Sequence, residues 1–201
     1  MLRFVPYLFG TLVAAVLVAG PLAYRSYNYR NYRNFHTVRP GVLYRSGQLS
    51  PRGLKRVWHD YGIRTVISLR DTDTPGQPPP DLAEEAFCKA EGIAHHRFSP
   101  RVWWSADPNL PPPGQQNINE FLRILADPAN HPVLVHCFAG CHRTGIHCAV
   151  FRIEWDHWSK EEAIDEMKRL GYVNFEGEED VKGYFTNYKP TWTRSAAPRP
   201  E

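Results

Sequence analysis

Hydrophobic and polar positions divide the chain into an uncharged opening run, a short polar stretch and a long alternating region. From Phe4 to Tyr24 no charged residue occurs, and Arg3 and Arg25 bound the run. A helix of that length spans roughly 30 Å at 1.5 Å per residue, which matches bilayer hydrocarbon, and Pro6 and Pro21 lie near its ends. The expectation is a transmembrane anchor within residues 1–24. A cleaved signal peptide is the rival, disfavoured by the length of the run and the lack of a clear A-x-A site. Arg25, Arg30, Arg33 and Arg39 follow the run, against Arg3 before it, an asymmetry that favours a cytoplasmic domain. Signal cleavage would instead make it secreted or periplasmic. Residues 25–40, rich in Tyr, Asn and Arg, read as a polar linker.

From residue 41 the pattern alternates between strand and helix. Val42–Arg45 reads as a strand. Ser50 before Pro51 pairs an N-cap with a first-turn proline and starts a helix to about Tyr61, which Gly62 stops. Thr65–Leu69 is a β-branched, apolar run that predicts a buried strand. Asp81 and Glu84 are spaced as a capping box for a helix ending near Gly92, and Ile93–Phe98 follows as a strand. Ile118, Phe121, Leu122 and Leu125 share one face of a helix. Pro132–His136 is a short apolar strand, and a helix runs from about Thr144 to Trp155. Ser159 and Glu162 cap another, closed at Gly171. Strands separated by helices predict an α/β three-layer sandwich over 41–190, with a central, mostly parallel sheet flanked by helices and preceded by the transmembrane helix. In such sheets, sites form at the carboxyl ends of strands, where the loop after His136 falls. The tail over 191–201, with Pro198 and Pro200, is expected to be disordered.

Composition narrows the function classes. Hydrophobic residues at 42% and charged residues at 22% make an ordinary globular balance. A formal charge of +3 without aromatic–basic alternation gives no reason to expect nucleic acid, and a monomer is expected. Of the four cysteines, Cys137, Cys141 and Cys148 crowd into twelve residues, unlike a disulfide framework.

The chemistry concentrates in His136-Cys137-Phe138-Ala139-Gly140-Cys141-His142-Arg143-Thr144-Gly145. Displacing a phosphate with a thiol requires a thiolate. A helix N-terminus beside positive charge brings a cysteine from about 8.5 to roughly 3.5–7.5. Cys137 ends a strand, faces the next helix and precedes Arg143 by six residues. The backbone from Phe138 through Ala139, Gly140, Cys141 and His142 can curl so that its N–H groups meet at one phosphate-sized centre, with Gly140 at the sharp turn. Arg143 adds a planar fork for two phosphate oxygens. Thr144 can donate its hydroxyl to the sulfur, and His136 orients the loop rather than acting as a base.

These residues spell the H-C-x5-R-[ST] signature of the protein tyrosine phosphatase superfamily. The chain resembles its dual-specificity branch, of the atypical kind found in plants, fungi and bacteria, over residues 38–190. Val42-Leu-Tyr-Arg-Ser-Gly47 resembles the first strand of such domains. The resemblance implies that Cys137 is the nucleophile, Arg143 binds phosphate and Thr144 assists breakdown of a phosphocysteine, with no metal or organic cofactor. It also implies an aspartate general acid some thirty residues upstream. Asp107 lies 30 residues before Cys137 and is the candidate, with Asp71 and Asp73 as rivals and a plain turn cap as the alternative role. The expected substrate is a phosphoprotein or small phosphate ester; phosphoinositides and inositol polyphosphates are the alternative, and the lack of lysine in the loop speaks mildly against polyanions.

Other readings stay in view. His136, Cys137, Cys141, His142, His147 and Cys148 cluster enough to raise a zinc site, but they lack paired C-x2-C spacing and enclose an arginine. Cys141 can either trap an oxidised Cys137 as a disulfide or simply fill space. Cys88 and Cys148 read as core, and the aromatics from Trp155 to Tyr188 as helix packing. A catalytically dead phosphate-binding module and a rhodanese-like sulfur carrier complete the alternatives.

Overall fold

The computed structural model of the chain describes residues 5–72, 76–107 and 109–192, with side chains at all of these except 5–12 and 30. Five strands form one sheet: β1 (His36–Arg39), β2 (Leu43–Gly47), β3 (Thr65–Ser68), β4 (Ala94–Arg97) and β5 (Val133–Cys137), in the order β1-β2-β5-β3-β4. Only β1 is antiparallel to its neighbour. The expected α/β class and mostly parallel sheet therefore hold.

Alternation along the strands sorts their side chains between two faces. Leu43, Ile67, Val133 and Val135 pack beneath α4 (Gly114–Ala126) and α5 (His142–Trp155) through Phe121, Ile124, Leu125, Cys148 and Phe151. Tyr44, Val66 and Leu134 point the other way, onto Leu54 and Val57 of α2 (Pro51–Tyr61) and Cys88 of α3 (Leu82–Ala90). Each of these aliphatic side chains contributes roughly 1.5–3 kcal/mol when fully buried. The far side of α5 carries a third cluster with α6 (Lys160–Arg169) and α7 (Glu179–Asn187), built on Ile146, Val150, Met167 and Phe185.

Local signals set most of the ends. Ser50 Oγ accepts from the Gly53 N–H at 3.1 Å, and Gly62 closes α2 at φ 65°. Ser159 and Glu162 form the expected reciprocal capping box of α6. Asp81 and Glu84 do not: α3 has no side-chain cap, because both carboxylates are drawn inward to buried partners described below.

The N-terminal third departs from expectation. One helix, α1 (Val5–Asn31), runs past Tyr24 through the residues expected as linker, and His36–Arg39 is the edge strand β1. The later part of this stretch, residues 31–40, is thus part of the domain, because Asn31 and Val38 are buried against it. The expected transmembrane anchor is also corrected: among the described residues no helix is long and apolar enough to cross a membrane. The tail expected to be disordered starts with two fixed residues, since Thr191 N–H donates to Glu154 and Trp192 Nε1 to the Ile153 carbonyl, both at 3.0 Å. Its remainder lies outside the described residues.

The end of α1 meets α2 with no room to spare. A Cβ on Gly53 would lie 2.5 Å from the Asn31 carbonyl oxygen and 2.8 Å from its Cα. Gly53→Ala is expected to destabilise the chain by about 1–3 kcal/mol. Gly183→Ala, in α7 with nothing within 4 Å of the new methyl, should be neutral or stabilise by up to about 1 kcal/mol. Urea denaturation of the two variants beside the parent measures both.

Candidate functional site

Because β2, β3 and β5 are parallel, their carboxyl ends meet on one edge of the sheet. Gly47 lies in register with Cys137, and Ser46 and Ser68 both lie in register with His136. The chain therefore delivers Gln48, Leu69-Arg70-Asp71 and the loop Phe138–Arg143 to one place.

The loop is shaped by where its carbonyls go. Phe138 O accepts from the Gln48 N–H at 3.0 Å, and His136 O accepts from the Leu69 N–H at 2.8 Å. Gly140 O accepts twice, from Arg45 Nη2 at 2.6 Å and Asn34 Nδ2 at 3.0 Å. With these oxygens turned outward, the amides face the other way, and the Gly140 N–H donates to Cys137 Sγ at 3.3 Å. Gly140 sits at φ 76°, and a Cβ there would fall 2.5 Å from Gly47 N. On the other side, a Cβ at Gly47 would lie 2.9 Å from the Ala139 carbonyl. Both positions need glycine because backbone lies directly on backbone.

Cys137 is buried. Burial opposes its ionisation, but Thr144, the Gly140 amide and the Arg143 charge outweigh it and hold the thiol below its ordinary value of 9.0. Thr144 acts on the sulfur with both its backbone amide and its fully buried hydroxyl, which has no other partner among the described residues. Arg143, in the first turn of α5, donates Nη1 to the Leu69 carbonyl, which anchors one edge of the guanidinium.

His136 takes part in a buried ion pair. Its Nε2 lies 2.6 Å from Glu84 Oε1, and its Nδ1 lies 3.4 Å from the Cys137 carbonyl. Burial disfavours charge on both partners. Their mutual attraction overcomes it, raising the His136 pKa and holding Glu84 at about 2. Glu84 also accepts from Gln48 Nε2 at 2.9 Å and lies 3.3 Å from His95 Nε2. Gln48 in turn accepts from Arg70 Nη1 at 2.9 Å. Asp81 holds Arg97 at 2.8 Å.

The remaining expected residues separate. Phe138 is exposed, at 53%, at the rim. The His142 side chain leaves the loop for Glu178 at 2.8 Å and the edge of Tyr172. Cys141 Sγ accepts from Asn34 Nδ2 at 3.4 Å, and burial, then the Cys137 charge, raises its pKa. Asp107 is exposed and accepts from Asn109 N and Nδ2 within its own turn. Asp71 accepts from Ser99 Oγ at 2.6 Å, a hydrogen bond that lowers its pKa, and Asp73 lies outside the described residues.

The zinc constellation is not assembled. His147 is buried among Phe98, Trp103 and Phe121 and donates Nδ1 to Arg143 O, and burial lowers its pKa to about 4. Cys88 and Cys148 are buried in the core, as expected, with pKa values pushed up to about 12 and about 11. Among the described residues the grouping with metal-like spacing is Asp81, Glu84 and His95, which shares no member with the expected set. Sequence reading passed over Asn34, Arg45, Gln48, Arg70 and Glu84 as site components. Arg45 alone lay in a stretch singled out for its resemblance.

The Glu84–His136 pair generates a pH signature. Glu84 contributes stability that is present above its ordinary pKa of 4.5 and lost as pH falls toward about 2. The raised His136 contributes fully below 6.5 and loses its contribution as pH rises through its folded value. Glu84→Gln should therefore cost most, about 3 kcal/mol, between roughly pH 4.5 and 6.5, with the deficit shrinking on either side. Guanidinium denaturation across pH 2–9 measures it; a pH-independent deficit would contradict the ion pair.

Comparison with known proteins agrees with this geometry. The inositol diphosphatase DSP1 of Oryza sativa subsp. japonica is 35% identical over 139 residues, 68% of this chain and 56% of that protein. The tyrosine-protein phosphatase-like protein OCA2 of Saccharomyces cerevisiae is 30% identical over 58% of this chain and 54% of its own. The chain thus spans little more than half the length of these curated relatives. Among solved structures, the catalytic core of the PP-IP phosphatase SIW14 from S. cerevisiae superposes with a TM-score of 0.60 at 23% identity, covering 82% of this chain and 90% of that one. Pseudomonas aeruginosa TpbA gives 0.60 at 21%, covering 81% and 89%. Residues 31–195 match the tyrosine phosphatase family, a stretch that begins with the buried Asn31 and takes in the whole sheet and the cysteine loop, and the chain belongs to that family.

Proposed function

We propose that the chain is a cysteine-dependent phosphatase acting through a phosphocysteine, and that its preferred substrate carries a diphosphate on a small polyol of the inositol type. The observation that carries the chemistry is the Cys137 thiol, held below its ordinary pKa by a loop whose outward carbonyls leave amides for a phosphate. In the first step the Cys137 thiolate attacks phosphorus, an S–P bond forms, and the bond to the leaving oxygen breaks with its electron pair. In the second, water attacks phosphorus, the S–P bond breaks, and orthophosphate leaves with the thiolate restored. Arg143 and the amides of Phe138 to His142 stabilise the charge gathering on the non-bridging oxygens. His136, fixed by Glu84, holds the loop.

The leaving group separates the substrate classes. An alkoxide or phenoxide needs a proton as it departs, and Asp107 is the proposed donor. A phosphate leaving from a diphosphate carries its charge without one. In the described state Asp107 is bonded within its own turn, and Asp71 is held toward the ionised form. An anhydride tolerates that arrangement better than an ester. Similarity to plant inositol diphosphatases supports the same choice. Phosphotyrosine protein is the second reading, supported by likeness to the dual-specificity phosphatase TpbA over a shorter stretch.

Cys137→Ser is expected to abolish turnover of every substrate, by at least about 10³-fold. Asp107→Asn should slow an aryl phosphate by about 10²-fold while changing hydrolysis of a diphosphoinositol by less than about threefold. Steady-state assays of the full chain under reducing conditions check both. An equal loss on the two substrates would reject the anhydride preference, and full activity in Cys137→Ser would reject the phosphocysteine.

A further inference from the structure

Two arginines at the site form no ion pair among the described residues. Arg33 places its guanidinium 3.9 Å from the centre of the Phe138 ring, and Arg70 lies 5.1 Å from the same centre. Among the described residues neither has a carboxylate within ion-pair distance, although Arg39, Arg97, Arg123 and Arg152 all do. Both are anchored to the loop's own supports. Arg33 O accepts from the Gly47 N–H at 2.6 Å, and its neighbour Asn34 ties Gly140 O to Leu170 O. Arg70 follows Leu69, whose carbonyl holds Arg143, and donates to Gln48. Burial lowers the Arg70 pKa, with the attraction of Asp81 and Glu84 working against it and the Arg143 charge adding to it.

Phe138 explains why two arginines can wait here. Its exposed ring offers electron-rich faces on which a guanidinium stacks while its N–H edges stay free. An arginine held over the ring in this way has lost much of its side-chain freedom before a ligand arrives. A phosphate cradled by the loop uses the amides and Arg143. A second phosphate joined to the first can emerge past Phe138, the residue next to the nucleophile, where Arg33 and Arg70 lie over the ring.

We infer that Arg33 and Arg70, stacked on Phe138, form a subsite for a second phosphate joined to the one held above Cys137. The inference deepens the diphosphate reading of the same site and rests on it for the identity of the natural substrate, but not for the existence of the subsite. It also removes the mild sequence argument against polyanions: the positive charge absent from the loop between Cys137 and Arg143 is supplied from residue 33, before the sheet, and residue 70, after β3.

Calorimetric titration of the full chain with inorganic pyrophosphate and with orthophosphate tests the subsite without needing turnover. The parent should bind pyrophosphate at least about tenfold more tightly than orthophosphate at matched pH and ionic strength, since charge-assisted hydrogen bonds to the second phosphate add to those of the first. Arg33→Ala and Arg70→Ala should each remove most of that preference, and Arg33→Lys should restore part of it. Circular dichroism spectra matching the parent confirm that the variants fold. Equal affinity for the two anions in the parent, or equal weakening of both by the substitutions, would overturn the subsite. If the preference is present and lost as expected while a diphosphoinositol is not hydrolysed, the subsite stands and the proposed substrate falls.

Discussion

Backbone packed on backbone at Gly47 and Gly140 is the constraint on which the site depends. No side chain fits between β2 and the loop, so the loop lies close enough for Gln48, Arg45 and Asn34 to take its carbonyl oxygens. Once those oxygens are occupied on the outside, the amides have one direction left, toward the sulfur and any anion above it. The parallel sheet supplies the closeness, since Gly47 and Cys137 end neighbouring strands in register. Fold and chemistry are therefore joined at a single contact.

Around this contact lie two electrostatic layers with different purposes. The buried layer is balanced: Glu84 against His136 and His95, and Asp81 against Arg97. Buried ion pairs add little net stability compared with a hydrophobic core, yet breaking one leaves a costly unpaired charge. The Glu84–His136 pair thus makes the position of the strand end immediately before Cys137 expensive to change. The outer layer is unbalanced, since Arg33, Arg70 and Arg143 form no ion pair among the described residues, although Asp81 and Glu84 act on Arg70 from the buried layer. An unbalanced cationic mouth over a balanced interior suits a site that must receive an anion and then release it.

What could be read from the sequence was local. The α2 cap at Ser50, the left-handed stop at Gly62 and the capping box of Ser159 and Glu162 each depend on residues three or four apart, and each is present. The loop was legible for the same reason, as Cys137, Gly140, Arg143 and Thr144 lie within eight positions. Its supports were not, because Asn34 reaches across 106 residues to Gly140, Arg45 across 95, and Glu84 across 52 to His136. Glu84 even carried a misleading local signal, spaced from Asp81 as a helix cap while its carboxylate serves a buried histidine. The region before the sheet was misread similarly. Its polar residues resemble a tether, but Asn31 and Asn34 spend their amides on the domain, and β1 buries too few side chains to show a strand pattern.

The most direct measurement of the loop's effect is the pH dependence of Cys137 alkylation by iodoacetamide in the full chain, followed on the Cys137 peptide by mass spectrometry so that Cys88, Cys141 and Cys148 do not contribute. A rate that reaches half its plateau below the ordinary thiol value of 9.0 is expected, with the half-point moving up in Gly140→Ala as the backbone contact is forced open. A half-point at or above 9.0 in the parent would contradict the thiolate-stabilising loop, and with it the chemistry built on it.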